Sequence, residues 1–151
     1  MFETGLKKLD QFLGGGIKEG LITDISGQNS TGKTQLAFQI CISALKNGKE
    51  ILFQDTTGEF RPERLVEMLK IRKLDPILLD KIKIGRITNS VQQSKYLSKI
   101  ATNDFSLIVI DNATDLFSFE YSKKEQSFEK HLAFMKYMQN LASIAINTKI
   151  P

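Results

Sequence analysis

Apolar residues recur along this chain in two rhythms, every third or fourth position and every second position or in short solid runs. Leu6, Leu9 and Leu13 keep helical spacing and predict a short amphipathic helix that Gly14-Gly15-Gly16 ends. Gly20 turns the chain into Leu21-Ile22-Thr23-Asp24-Ile25, a predicted first strand. A helix is expected from Gly32 to about Lys46, stopped by Asn47-Gly48. Glu50-Ile51-Leu52-Phe53-Gln54, ending at Asp55, predicts a buried strand. Pro62 suits the first turn of a helix whose apolar face is Leu65, Val66, Met68 and Leu69. Asp75-Pro76 opens a helical turn through Leu79, and the alternation from Lys81 to Ile87 predicts a strand near a sheet edge. Thr88 or Asn89 caps a helix through about Ala101, with Val91, Tyr96, Leu97 and Ile100 facing inward. Ser106-Leu107-Ile108-Val109-Ile110, ended by Asp111, is the most apolar run and predicts a central parallel strand buried on both faces. Residues 112–124 predict a loop with one helical turn, followed by a long helix from about Glu125 to Asn147 with a core stripe of Phe128, Leu132, Met135, Leu141, Ala142 and Ala145.

Strand and helix alternate throughout, which predicts an α/β fold with a parallel sheet between helical layers. At 151 residues, with no internal repeat or linker, the chain reads as one domain, 1–151. Hydrophobic residues make up 41% and charged residues 25%, which fits a globular protein and excludes a disordered one. The net charge of +4 permits a nucleic-acid partner without requiring one. No apolar run approaches a membrane span, the start Met1-Phe2-Glu3-Thr4-Gly5 lacks signal-peptide character, and a single cysteine, Cys41, rules out an internal disulfide. Together these predict a cytoplasmic protein without a membrane partner. Cys41 falls among apolar neighbours and is expected to be a packed core thiol, and His131 has no second ligand at a metal spacing.

The chemistry gathers at Gly27-Gln28-Asn29-Ser30-Thr31-Gly32-Lys33-Thr34, a complete G-x-x-x-x-G-K-T phosphate-binding pattern between an apolar run and a helix. Glycines let such a loop point several N–H groups at one anion, and the helix start adds the positive end of its dipole. Lys33 would reach the β- and γ-phosphates, and Thr34 would bind Mg²⁺ through its hydroxyl. Such a site needs a carboxylate for the metal; Asp111, at the C-terminal end of an apolar strand, is the candidate.

Several stretches together resemble the RecA/RadA recombinase core: Thr4-Gly5-Leu6-Lys7-Lys8-Leu9-Asp10, the phosphate loop followed by Gln35-Leu36, Asp55-Thr56-Thr57-Gly58-Glu59-Phe60-Arg61-Pro62-Glu63-Arg64, and Leu107-Ile108-Val109-Ile110-Asp111 followed by Asn112-Ala113-Thr114. The likeness covers nearly the whole chain; Phe60 to Arg64 is its most specific piece and points to the archaeal and eukaryotic branch. The extra N-terminal helical domain and linker of RadA recombinases are absent, so the chain looks like a RadB-type or other recombinase paralogue. The resemblance implies a RecA-like P-loop NTPase with a three-layer parallel sheet flanked by helices, ATP and Mg²⁺ as cofactors, Asp111 as the Walker B carboxylate, and Arg64 packing on adenine.

Two departures accompany it. The family glutamate that polarises the attacking water is here Thr57, which cannot serve as a general base near neutral pH. Glu59 stands two residues on, and with Lys33 and Asp111 it completes the candidate catalytic set. ATP binding with slow or absent hydrolysis is therefore expected. The second departure is the end of the chain: in RecA-like sheets a further strand lies between the P-loop strand and the Walker B strand, and it would follow Pro151. A core incomplete at its C-terminus is expected, its last core strand missing. Alternatively, those two strands pair directly or leave a gap.

The family's first DNA-binding loop falls near Ser118 to Phe128, where Lys123 and Lys124, beside Tyr121, Glu120 and Glu125, are the candidate phosphate contacts. The resemblance implies an ATP-dependent partner: single- or double-stranded DNA, a RadA-type recombinase or a further copy, in recombination and repair. The alternatives are a hydrolysis-deficient, nucleotide-gated mediator, which Thr57 favours, and a KaiC-like RecA-fold ATPase without a DNA role.

Overall fold

The computed structural model describes residues 1–100 and 104–151. In chain order it contains α1 (Lys7–Phe12), α2 (Lys33–Lys46), β1 (Ile51–Asp55), α3 (Pro62–Ile71), a 3-10 turn (Pro76–Lys81), β2 (Ile82–Arg86), α4 (Ser90–Ile100), β3 (Leu107–Asp111), α5 (Asp115–Glu120), a second 3-10 turn (Lys124–Gln126) and α6 (Ser127–Thr148). Ala101, the expected end of the helix that became α4, lies outside the described residues.

The three strands form a parallel sheet in the order β2-β1-β3. Ile51 pairs with Ile82 and Leu107, and Asp55 with Arg86 and Asp111, so all three strands end at one level. Side chains of β1 alternate between two cores, as a pleated strand requires. Ile51 and Phe53 point into the layer of α2 and α3, where Phe38, Phe53 and Phe60 pack with ring centroids 5.0–5.6 Å apart. Leu52 points the other way, among Leu97, Ile100, Phe117, Tyr137 and Leu141 of α4, α5 and α6. The result is the three-layer α/β arrangement, helices on both faces of a parallel sheet.

Four expectations are corrected. Residues 21–25 form no strand: they are exposed and lie outside the sheet. A strand is defined by a neighbour that takes its N–H and C=O groups. Here a cleft of about 580 Å³, lined by Leu21, Ile22, Ile25, Val109 and Met138 among others, separates this segment from β3. The two segments thus do not pair directly; a gap is left, and Ile108 N–H donates across the edge of β3 to the Pro151 carbonyl at 3.1 Å.

For the same reason β3, the most apolar run, is not central. β1 takes that place, buried along its whole length, while β3 is half-buried beyond Leu107. In α6 the expected stripe mixes two faces. Phe128, Leu132 and Met135 are 69%, 52% and 43% exposed, whereas Tyr137, Leu141 and Ala145 are buried. Six residues separate Met135 from Leu141, which rotates the second set roughly 120° away from the first. In α4 the inward positions are Ser90, Gln93, Leu97 and Ile100, at i, i+3, i+7 and i+10, and Val91 faces solvent.

Candidate nucleotide-binding site

The phosphate-loop sequence leads directly into α2. Gly32, the residue before the helix, has φ +92° in the left-handed region, and no side chain caps the first turn. Ser30 also has positive φ, +61°. Alternation of this kind turns successive N–H groups toward one side, and the uncapped N–H groups of the first turn add to them. Glycine at position 32 is required by that backbone, because a Cβ is disfavoured there. The side chains fix the loop from within. Lys33 Nζ donates to the carbonyls of Gly27 (2.9 Å) and Gln28 (2.7 Å), and Thr31 Oγ1 donates to Gln28 O (2.8 Å). The lysine thus arches over its own loop, with its terminal nitrogen beside the anion cradle.

Thr34 and Asp111, 77 residues apart in sequence, meet here: Thr34 Oγ1 donates to Asp111 Oδ2 at 2.8 Å. The register of the sheet explains why, since Asp111 is the last residue of β3 and faces the start of α2 across the strand ends. Both atoms are hard oxygen donors of the kind Mg²⁺ prefers. Among the described residues no three or more His, Cys, Asp or Glu side chains gather into a metal cluster, here or elsewhere.

Asp55 and Thr56, at the end of β1, hold the surrounding loops and lie outside the sequence expectation. Thr56 N donates to Asp111 O (2.9 Å), and the Thr56 hydroxyl donates to Asn112 O (2.6 Å) and accepts from Asn112 N (2.9 Å). The peptide between Asp111 and Asn112 is cis. Asp55 organises residues 57–60: Oδ1 accepts from Thr57 N (3.1 Å), Thr57 Oγ1 (3.1 Å) and Gly58 N (2.7 Å), and Oδ2 from Phe60 N (3.3 Å). Burial works to raise the Asp55 carboxyl. The N–H groups of Gly58 and Phe60, the Thr57 hydroxyl and the Arg86 guanidinium outweigh it and hold the group below its ordinary value. Gly58, at φ +82°, lies so close to Arg86 that a Cβ there would stand 2.8 Å from Nη2. The signal for Asp55 and Thr56 was in the chain: polar residues at the C-terminal end of a buried parallel strand stand where ligands bind.

The other expected site residues divide. Gln28, Asn29, Ser30 and Thr31 form the exposed crest of the loop. Arg64, near the start of α3, reaches back to α2, where Nε donates to Gln35 Oε1 at 3.0 Å, next to Thr34; it also pairs with Glu67 at 3.6 Å. Glu59 is exposed, its N–H donates to Thr57 Oγ1 (3.3 Å), and its carboxylate makes no hydrogen bond or ion pair among the described residues. Thr57 is turned toward Asp55 rather than toward the phosphate loop. Lys123 and Lys124 are exposed on the turn before α6, away from Glu120, whose carboxylate accepts from Ser90 N (2.7 Å) and from the Ser90 hydroxyl.

Comparison with known proteins is decisive on family. The family model described as Rad51 matches residues 1–151. The chain belongs to the Rad51 family. It is 37% identical to the DNA repair and recombination protein RadB of Thermococcus gammatolerans over all of this chain and 67% of that protein. It is 35% identical to the DNA repair and recombination protein RadA of Cenarchaeum symbiosum over 96% of this chain and 39% of that protein. A DNA repair protein RAD51 homolog of Solanum lycopersicum is 31% identical over 94% of this chain and 45% of its own length. The chain therefore spans between about two fifths and two thirds of these Rad51-family relatives. No described helix is long and apolar enough to cross a membrane.

Proposed function

We propose that this Rad51-family chain binds ATP with Mg²⁺ and takes part in DNA recombination and repair through ATP-dependent contact with DNA or with a recombinase. The observation that carries the nucleotide reading is the 2.8 Å bond from Thr34 to Asp111 beside the uncapped start of α2. Gly27 to Thr34 would hold the phosphates, Lys33 their charge, Thr34 and Asp111 the metal, and Arg64 the adenine face. Mg²⁺, when bound, neutralises charge on the β- and γ-phosphates. The family names of the relatives support the recombination and repair role, with DNA, a RadA-type recombinase or a further copy as the partner.

Binding of a fluorescent ATP analogue tests the nucleotide reading. Saturable binding in Mg²⁺ that Lys33→Ala weakens about tenfold, or ~1.4 kcal/mol, is expected. Absence of saturable binding would overturn it. Retention of single- or double-stranded DNA that needs ATP and that Lys123→Ala/Lys124→Ala weakens tests the DNA role.

A second reading has its own support. Thr57 stands where the family resemblance implies a glutamate, and its hydroxyl is engaged by Asp55. That favours a hydrolysis-deficient, nucleotide-gated mediator over an active ATPase.

A further inference from the structure

Gln93 is buried completely, in the first half of α4, and its side chain has no place in the nucleotide site described above. Its amide nitrogen nevertheless donates to Ala113 O at 3.2 Å, two residues after Asp111. The stretch from Asp111 to Glu120 is thereby fastened to α4 twice: Gln93 holds Ala113, and Ser90 holds the Glu120 carboxylate. On the opposite side Thr56 grips the Asp111–Asn112 peptide. Asp111 thus projects from a backbone clamped between the end of β1 and the start of α4.

The rest of the Gln93 amide faces a second anomaly. Four buried side-chain atoms complete no hydrogen bond among the described residues: Gln54 Nε2, Gln54 Oε1, Gln93 Oε1 and Tyr137 Oη. They belong to one layer. Gln54 is in register with Gly85, where a Cβ would meet the Tyr96 ring of α4 at 3.3 Å, and with Ile110 of the same core. Tyr137 packs in that core with Leu52 and Leu97, and burial pushes its hydroxyl up while the nearby Gln93 amide opposes the shift. Burying an amide or a phenol without a partner is costly, so such groups pair, directly or through an enclosed water. Their inventories are complementary: Gln54 offers two N–H donors, Gln93 Oε1 accepts, and the phenol does either.

We infer that Gln93 is a positioning residue for Asp111, its amide fixing the Ala113 carbonyl while Gln54 of β1 and Tyr137 of α6 brace the amide from behind. The polar cluster links the end of β1 and the long helix α6 to the loop that carries the metal carboxylate. A single glutamine in the middle of an apolar strand, Ile-Leu-Phe-Gln-Asp, is thereby explained: it supports the loop rather than the core. This inference rests on the nucleotide reading for its ligand and on the structure alone for its mechanics, and the two are tested separately.

Hydrogen–deuterium exchange of residues 111–115, measured without nucleotide, reads the mechanics. Gln93→Met, which keeps the length and removes the donor, is expected to speed exchange there and to leave the phosphate-loop peptide unchanged. Affinity for the fluorescent ATP analogue is then measured in Mg²⁺ and in EDTA. A loss of about tenfold in Mg²⁺ alone, the size typical of displaced metal-site support, is expected. Equal losses in both buffers, or unchanged exchange at 111–115, would overturn the inference. Tyr137→Phe removes one oxygen without altering shape and is expected to give the same signature at smaller size; if Gln93→Met fails to fold, this variant decides. Should the wild type bind no nucleotide in either buffer, the nucleotide reading fails, and the exchange result alone decides whether Gln93 holds the loop.

Discussion

Asp55→Asn isolates what one charge does for the loops around the site. The substitution keeps the size of the side chain and one acceptor oxygen. It removes the charge and turns the other oxygen into a donor facing the Phe60 N–H, which accepted geometry now opposes. Of the four hydrogen bonds to the carboxylate, the one from Gly58 N is short at 2.7 Å and the other three are 3.1–3.3 Å. A hydrogen bond to a charged group contributes about 1.5–3 kcal/mol net, so losing charge assistance and one bond should cost about 2 kcal/mol. The Arg86 ion pair, 3.9 Å long with Arg86 half exposed, adds at most about 1 kcal/mol. For a domain of this size about 2 kcal/mol lowers the melting temperature by roughly 4–8 °C.

The pH dependence fixes the cause. The folded carboxyl lies below its ordinary value, so its stabilisation is present above the unfolded value, near 3.9, and is lost as pH falls through the folded one. Thermal melts followed by circular dichroism at pH 7, and at several values below about pH 4, are the assay. A protonated Asp55 resembles asparagine, so the gap between wild type and variant should be full at neutral pH and shrink in acid. A gap that persists or widens in acid would refute the assignment of this stability to the carboxylate charge.

Two further outcomes are expected. Thr57→Glu should raise steady-state ATP turnover, measured by phosphate release, while the wild type stays slow; a wild type as fast as an active RadA would show that the site hydrolyses ATP without a glutamate at 57. Cys41 is fully buried and its thiol is pushed up to about 12 by burial, so an aromatic disulfide reagent should leave it unmodified in the native protein at pH 8 and label it fully after denaturation; rapid native labelling would show that α2 opens readily.

Local rules made much of this molecule legible. The phosphate-loop pattern carries its own geometry, because Gly32 and the helix behind it are neighbours in sequence. The strand-ending position of Asp111 was enough to bring it to Thr34, because parallel strands end at one level. What escaped the sequence depends on partners. Residues 21–25 have the composition of a strand, but pairing is a property of two segments, and β3 is not beside them. The same absence moved β3 from the centre of the sheet to its rim. In α6 apolar residues cover more than one face, and the packing of Phe134 and Tyr137 against Phe117, at 5.4 and 5.5 Å between centroids, marks the face that turns inward. Gln93 and Gln54 escaped because a glutamine announces nothing in the sequence until its amide is seen to be buried.

The gap between residues 21–25 and β3 also has a thermodynamic consequence. The phosphate loop is anchored to the sheet through α2 and the Thr34–Asp111 bond, whereas the segment leading into it spends none of its backbone hydrogen bonds on a strand neighbour. Holding that segment in one conformation carries an entropic cost of about 1–2 kcal/mol for each residue fixed. Where the segment orders only with an occupant in the cradle, that occupant supplies the free energy from its own contacts, and the apparent affinity is the intrinsic one reduced by the fraction of molecules already ordered. Ordering the lead-in segment and filling the cradle are in that case linked equilibria, each favouring the other by the same coupling factor.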